Sequence, residues 1–245
     1  MSHITRIAMW SGPRNLSTAM MRSFGSRLDT TCVDEPFYAA FLTLTGADHP
    51  MREDILAAHE TDPYRVATDM ISGASKAAIV YQKHMTHHMV EGIPRDWMGK
   101  VTNAFLIRHP ARVLASYARK MEAISLEAIG FSQQIELFEA ARSLSGETPV
   151  VIDSDTILAD PEAALKSLCA RLSIPFDPAM LAWQPGPKPE DGAWAPHWYD
   201  AVIASSGFGA PPGPLPDLPT HAHPILEQAL PIYERLAGYA VDMAD

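Results

Sequence analysis

Short, unbroken apolar runs alternate with longer stretches of helical periodicity along this chain. Ile7-Ala8-Met9-Trp10 and Ala104-Phe105-Leu106-Ile107 are runs of the first kind. Both are bounded by polar or turn residues, as buried parallel strands are. The pattern predicts strands over 4–10, 30–33, 77–82, 101–107 and 148–152. It predicts helices over 15–28, across 36–73, and over 110–121, 125–145 and 161–173. The last of these has Asp160 as its N-cap and Pro161 at the first helical position, with Leu165, Leu168, Cys169 and Leu172 as one apolar stripe. Such an order specifies an α/β fold, a parallel sheet covered by helices on both faces in three layers. From Gln184 to Pro219 the texture changes, because nine of the 21 prolines fall there. A stretch this long without periodicity reads as a functional or mobile flap. A helix over 221–238, with Ile225, Leu226, Ala229, Leu230 and Tyr233 as its packing stripe, closes the chain. The expectation is one domain over 1–245 with a Pro-rich C-terminal flap.

Composition narrows the class. Hydrophobic residues make up 47% and charged residues 20% of the 245, enough for one full core. A net charge of −10 argues against nucleic acid and anionic membrane surfaces as partners. No apolar stretch is long enough to span a bilayer, and the N-terminus enters a strand without a leader's apolar core. The expected location is therefore the cytoplasm. Cys32 and Cys169 fit that compartment as reduced core thiols.

The chemistry concentrates after two strands. Ser11-Gly12-Pro13-Arg14-Asn15-Leu16-Ser17-Thr18 follows the first and opens a helix. Free N–H groups in a helix's first turn and the helix dipole together favour an anion. Arg14 adds a fixed positive charge, and Ser17 and Thr18 add hydroxyl donors. The plain alternative is an ordinary capped helix, which needs neither Arg14 nor paired hydroxyls. A standard ATP-binding loop would place Gly-Lys before its hydroxyl residue, and this one does not. After the strand over 101–107 come Arg108-His109-Pro110 and, eight residues beyond Arg108, Ser116. Ligands of open α/β sheets bind outside the carboxyl ends of strands, so Arg14 and Arg108 are expected to face one crevice.

These two segments resemble the co-substrate signatures of the sulfotransferases that use 3′-phosphoadenosine 5′-phosphosulfate (PAPS). In that family an S-x-P-[RK]-S-G-T-T type loop holds the 5′-phosphosulfate, and an arginine with a serine eight positions later holds the 3′-phosphate. The resemblance implies that Arg14, Asn15, Leu16, Ser17 and Thr18 form the first subsite and Arg108 with Ser116 the second. A third stretch, from Val150-Val151-Ile152-Asp153 through Asp160-Pro161-Glu162 to Ile174-Pro175, is similar to the family's strand, "DPE" helix start and exit. The resemblance covers roughly residues 4–177 and implies a P-loop-type sheet. It also implies PAPS as co-substrate without a metal, and a small-molecule acceptor; the chain is expected to be a monomer or homodimer. Leu16 stands where most members have glycine, so a different loop path is expected. The basic, glycine-rich closing segment of the eukaryotic cytosolic members is not visible, as in a bacterial and plant subgroup.

Sulfuryl transfer to a hydroxyl needs a base for the acceptor proton and a cation at the leaving oxygen. Two bases are candidates. Val80-Tyr81-Gln82-Lys83-His84 resembles the family's Lys-His strand end, which implies His84 as base and Lys83 at the leaving group. Asp34-Glu35-Pro36 resembles the Glu-Pro of carbohydrate-modifying members, which implies Glu35. The reading places His84 first. Its plain alternative for Asp34-Glu35 is an acidic pair at a helix N-terminus. If residues 84–90 were helical, His84, His87 and His88 would share a face, but no further ligand completes a zinc site. The reading takes no metal and expects His87 and His88 at the surface or lining the acceptor pocket. Trp194, Trp198, Tyr199 and Phe208 in the flap either stack on ligand or pin the flap to the core. The rival functions are a nucleotide-dependent phosphotransferase and a binding protein that has lost catalysis.

Overall fold

The computed structural model describes residues 4–118 and 125–241. In chain order the elements are β1 (Thr5–Ser11), α1 (Ser17–Gly25), β2 (Thr30–Asp34), α2 (Tyr38–Thr45), α3 (Arg52–Ala58), α4 (Pro63–Ser72) and β3 (Ile79–Met85). They continue with β4 (Thr102–Ile107), α5 (Pro110–Tyr117), α6 (Phe131–Ser145), β5 (Val150–Asp153), α7 (Ser154–Ala159) and α8 (Pro161–Arg171). Two short helices, α9 (Ala195–Trp198) and α10 (Asp200–Ile203), lie in the flap, and α11 (His223–Ala237) closes the chain.

The five strands form one parallel sheet in the order β2-β3-β1-β4-β5. Successive residues of a strand point to opposite faces. On β1, Ile7 and Met9 therefore enter one apolar cluster, and Ala8 and Trp10 enter another. On β4, Ala104 and Leu106 join the first, and Phe105 and Ile107 join the second. Both faces are covered, so the strands read as unbroken apolar runs. The chain moves to one side of β1 for β2 and β3 and to the other side for β4 and β5. The loops after β1 and β4 flank this reversal, where open sheets form their ligand crevice.

The expected elements are present, with instructive shifts. The helical stretch across 36–73 is three helices, the first ending at Gly46 with φ 65°. The helix expected over 125–145 starts only at Phe131, because Gly130 turns the chain in the left-handed region at φ 74°. The final turn of the helix expected over 110–121 extends outside the described residues. Asp160 caps α8 as expected, accepting from the Ala163 N–H at 3.0 Å. The strand expected over 77–82 runs on to Met85, so His84 is a strand residue. That removes the premise of three histidines on one helical face.

Candidate active site

The loop between β1 and α1 is held by close packing. A Cβ at Gly12 would lie 2.5 Å from the Ile129 carbonyl oxygen, so the backbones approach as only glycine permits. Arg14 and Leu16 both take left-handed conformations, at φ 64° and 69°. Each costs about 1–3 kcal/mol of local strain for a residue with a side chain. Leu16 adopts the conformation that glycine takes freely, and its half-buried side chain packs against the core. The leucine therefore offers its backbone to the loop. The N-cap residue of α1, Leu16, makes no side-chain capping hydrogen bond to the helix's first turn. Ser17 is buried and Thr18 half-buried in that turn.

Across the crevice the second motif meets the first. Arg14 Nε donates to Ser116 Oγ at 2.9 Å, and Arg108 Nη1 donates to the Arg14 carbonyl at 2.8 Å. Arg14, Arg108 and Ser116, up to 102 residues apart in sequence, thus stand together. Asn15 is buried and donates through Nδ2 to the Leu106 carbonyl at 3.3 Å. Its Oδ1, and Nε of Arg108, are buried without a hydrogen-bond partner among the described residues. Burial depresses the Arg108 pKa, and the nearby Arg112 and Arg14 charges add to this against the opposing pull of Asp155. An anion placed there would relieve that repulsion. Ser154, to which sequence reasoning gave no role, lies with its Oγ 2.6 Å from the Ile107 carbonyl and 3.1 Å from the Asn15 carbonyl, between the end of β4 and the loop.

The carboxyl ends of β2 and β3 carry a buried ionic cluster. Lys83 Nζ donates to Asp34 Oδ1 at 2.9 Å, to Tyr199 OH at 2.8 Å and to Glu35 Oε1. Burial opposes the ammonium, but the two carboxylates outweigh it and raise the Lys83 pKa. Burial also raises the Glu35 pKa, against the pull of Lys83. Glu35 sits at φ 38°, a strained conformation of the kind that clusters at functional sites. His88 Nε2 lies 3.9 Å from Glu35 Oε2.

His84 faces the other way. Strand alternation sends it to the opposite side of the sheet from Lys83, stacked on Trp10 at 4.5 Å and 5.2 Å from the Trp97 ring. Its Nε2 lies 3.3 Å from Gln82 Oε1. Burial, with Lys83 adding, lowers its pKa to about 3. His88, expected at the surface or lining the acceptor pocket, is buried, stacked on Tyr38 at 4.3 Å and on Phe41 at 5.0 Å. His87 is half-buried beside it. Their position in a tight turn after β3 folds them inward. Among the described residues no group of three or more His, Cys, Asp or Glu side chains is placed to hold a metal ion.

The flap is fastened over this edge. Tyr199 OH donates to Asp34 Oδ2 at 2.7 Å and accepts from Trp194 Nε1 at 2.9 Å. The Gly192 N–H donates to Asp34 Oδ2 at 3.2 Å. Arg22 of α1 forms a two-pronged ion pair with Asp191 at 2.6 and 2.7 Å, with both side chains buried. Farther along, Arg112 of α5 bridges Asp155 and the carbonyls of Gly213 and Pro214. Asp34, expected at most as half of an acidic pair at a helix N-terminus, and Tyr199, expected to stack on ligand or to pin the flap, are members of the ionic cluster. Asp34 had a signal, since it precedes Glu35 at a strand end. The contact of Tyr199 with Lys83 had none, because 116 residues separate them.

Residues 5–240 match the family model described as the sulfotransferase domain. The chain belongs to the sulfotransferase-domain family. The sulfotransferase domain from the curacin biosynthetic pathway has a TM-score of 0.50 and 14% identity, over 99% of this chain and 100% of that one. A sulfotransferase from Alicyclobacillus acidocaldarius has a TM-score of 0.51 and 11% identity, over 72% of this chain and 87% of that one. At such identities the likeness concerns the fold. Two proteins of Arabidopsis thaliana are similar in sequence. They carry the names branched-chain-amino-acid aminotransferase-like protein 1 and 2, each 39% identical, over 95% and 94% of this chain. The matches cover 42% and 41% of those proteins, so the chain spans about two fifths of their length. No helix among the described residues is long and apolar enough to cross a membrane.

Proposed function

We propose that this chain transfers the sulfuryl group of PAPS to a hydroxyl or amine of a small-molecule acceptor. The observation that carries the reading is the meeting of Arg14, Arg108 and Ser116 at the reversal of the sheet. Two cations, an uncapped helix start and an unpartnered Asn15 oxygen fit a ligand that has both anionic and donor groups. In this reading the loop from Arg14 to Thr18 holds the 5′-phosphosulfate, and Arg108 with Ser116 holds the 3′-phosphate.

Glu35, rather than His84, takes the acceptor proton. Its buried carboxylate has a raised pKa and lies at the carboxyl edge, whereas the His84 imidazole is stacked on the far face and is a weak base. As the acceptor oxygen bonds to sulfur, its proton passes to Glu35. The bond from sulfur to the bridging oxygen breaks, and the 3′,5′-adenosine diphosphate leaves with the electron pair. Lys83 and Arg14 supply the positive charge on that side.

Calorimetric titration with 3′,5′-adenosine diphosphate, and with ATP and 5′-AMP in parallel, tests the reading. Micromolar or tighter binding that requires the 3′-phosphate and no magnesium is expected. Binding of ATP with magnesium, and none of the 3′-phosphorylated nucleotide, would favour a phosphotransferase.

A further inference from the structure

We propose that Tyr199, reaching in from the flap, is a positioning residue that holds Lys83 and biases Glu35. The role in turnover rests on the sulfotransferase reading; the coupling among the side chains does not. An ammonium has three N–H donors, and Lys83 uses one on Asp34, one on Glu35 and one on Tyr199. A phenol has one proton and two acceptor sites. Tyr199 accepts from Lys83 and Trp194 and gives its proton to Asp34. The count closes with nothing spare, so the Lys83 ammonium can turn to a leaving oxygen only by giving up one of these three acceptors.

Pinning the flap does not require that hydroxyl. The Arg22–Asp191 pair and the buried Trp194 already fasten it, and a phenyl ring at 199 would fill the same apolar space. A buried phenol is worth keeping here only because charged groups use it. The groups that face Glu35 come from every neighbouring element: Asp34 from β2, Lys83 from β3, His88 from the turn after β3, and Tyr199 from the flap. Tyr199 OH lies 3.3 Å from Glu35 Oε1 and 2.7 Å from Asp34 Oδ2, so it contacts both carboxylates and the ammonium. It is the flap side chain that meets all three charged groups, beside the Gly192 N–H that reaches Asp34 alone.

Tyr199→Phe separates positioning from packing. The assay follows PAPS with water as acceptor: the water oxygen bonds to sulfur, the bond to the bridging oxygen breaks, the proton passes to Glu35, and sulfate and 3′,5′-adenosine diphosphate are released. Binding of 3′,5′-adenosine diphosphate is expected to stay within about two-fold, while turnover falls roughly ten-fold or more. The acid limb of the pH profile shifts, because the hydroxyl that holds the Lys83 ammonium and lies 3.3 Å from Glu35 Oε1 is gone. Unchanged turnover with an unmoved limb would overturn the proposal. A second measurement does not depend on that variant folding. With 3-fluorotyrosine at Tyr199, the fluorine resonance of the nucleotide-free protein is expected to shift with pH, and Glu35→Gln should abolish the inflection. An inflection that survives Glu35→Gln, or no inflection in the parent, overturns the coupling. If the parent protein fails to bind 3′,5′-adenosine diphosphate, the sulfotransferase reading falls while the fluorine titration still decides the coupling.

Discussion

Replacing Lys83 by methionine removes one charge from the cluster with little change of volume. It leaves Asp34 and Glu35 facing each other without their shared cation. The side chains of Lys83, Asp34 and Glu35 are 1%, 1% and 9% exposed, so water does little to compensate. Removing one partner of a buried ion pair costs about 3–5 kcal/mol. That loss depends on pH. With the Lys83 pull gone, burial and the Asp34 charge push the Glu35 pKa still further above the unfolded carboxylate values of about 4. Below the unfolded values both states are protonated and the electrostatic penalty vanishes. As pH rises toward the raised folded value, the unfolded state releases a proton that the folded state keeps, and stability falls by about 1.4 kcal/mol per pH unit per proton. Above the folded value the penalty is complete. Urea unfolding of the parent and Lys83→Met at pH 5 and pH 8 reads this directly through the midpoints. The stability gap is expected to be wide at pH 8 and narrower at pH 5. A gap that is the same at both values, or smaller than about 1 kcal/mol at pH 8, would refute the reasoning.

Three further outcomes are expected. Arg14→Ala and Arg108→Ala should each weaken 3′,5′-adenosine diphosphate binding by about 1.5–3 kcal/mol in calorimetry, the worth of a charge-assisted hydrogen bond; unchanged affinity in both would sink the assigned subsites. The His84 imidazole should stay neutral from pH 5 to 8, since its pKa is lowered to about 3, so its ring resonances should not titrate in that window. Asp191→Ala should release the flap by stranding the buried Arg22 charge, seen as faster proteolytic cleavage within 184–219 with the sheet intact; an unchanged cleavage rate would show that other contacts hold the flap.

Much of the architecture was legible in the linear chain, for local reasons. A doubly covered strand must be apolar on both faces, so β1 and β4 announced themselves as unbroken runs. The Asp160-Pro161 start of α8 is set by capping within a few residues. The loop from Ser11 to Thr18 and the Arg108–Ser116 spacing were readable for the same reason, since each lies within one strand–turn–helix unit. Where local signals competed, the reading slipped. Apolar periodicity ran through Gly46 and Gly130, and the left-handed turns there end α2 and set the start of α6.

The roles of Lys83, His84 and Tyr199 required the folded molecule. Neighbours in sequence on a strand are not neighbours in space, so the Lys83-His84 pair divides between the two faces of the sheet. One becomes the centre of an ionic cluster and the other a stacked, neutral ring. The Tyr199 hydroxyl reaches that cluster from 116 residues away, by way of a flap whose composition is mostly proline and small residues. No periodicity or spacing encodes such a contact. The chain's pattern chose the strands and the strand-to-helix turns after β1 and β4, because those depend on short-range sterics and burial. Which carboxylate sits beside the lysine, and which phenol closes its hydrogen bonds, depends on packing between distant segments, and the tertiary fold alone brings those together.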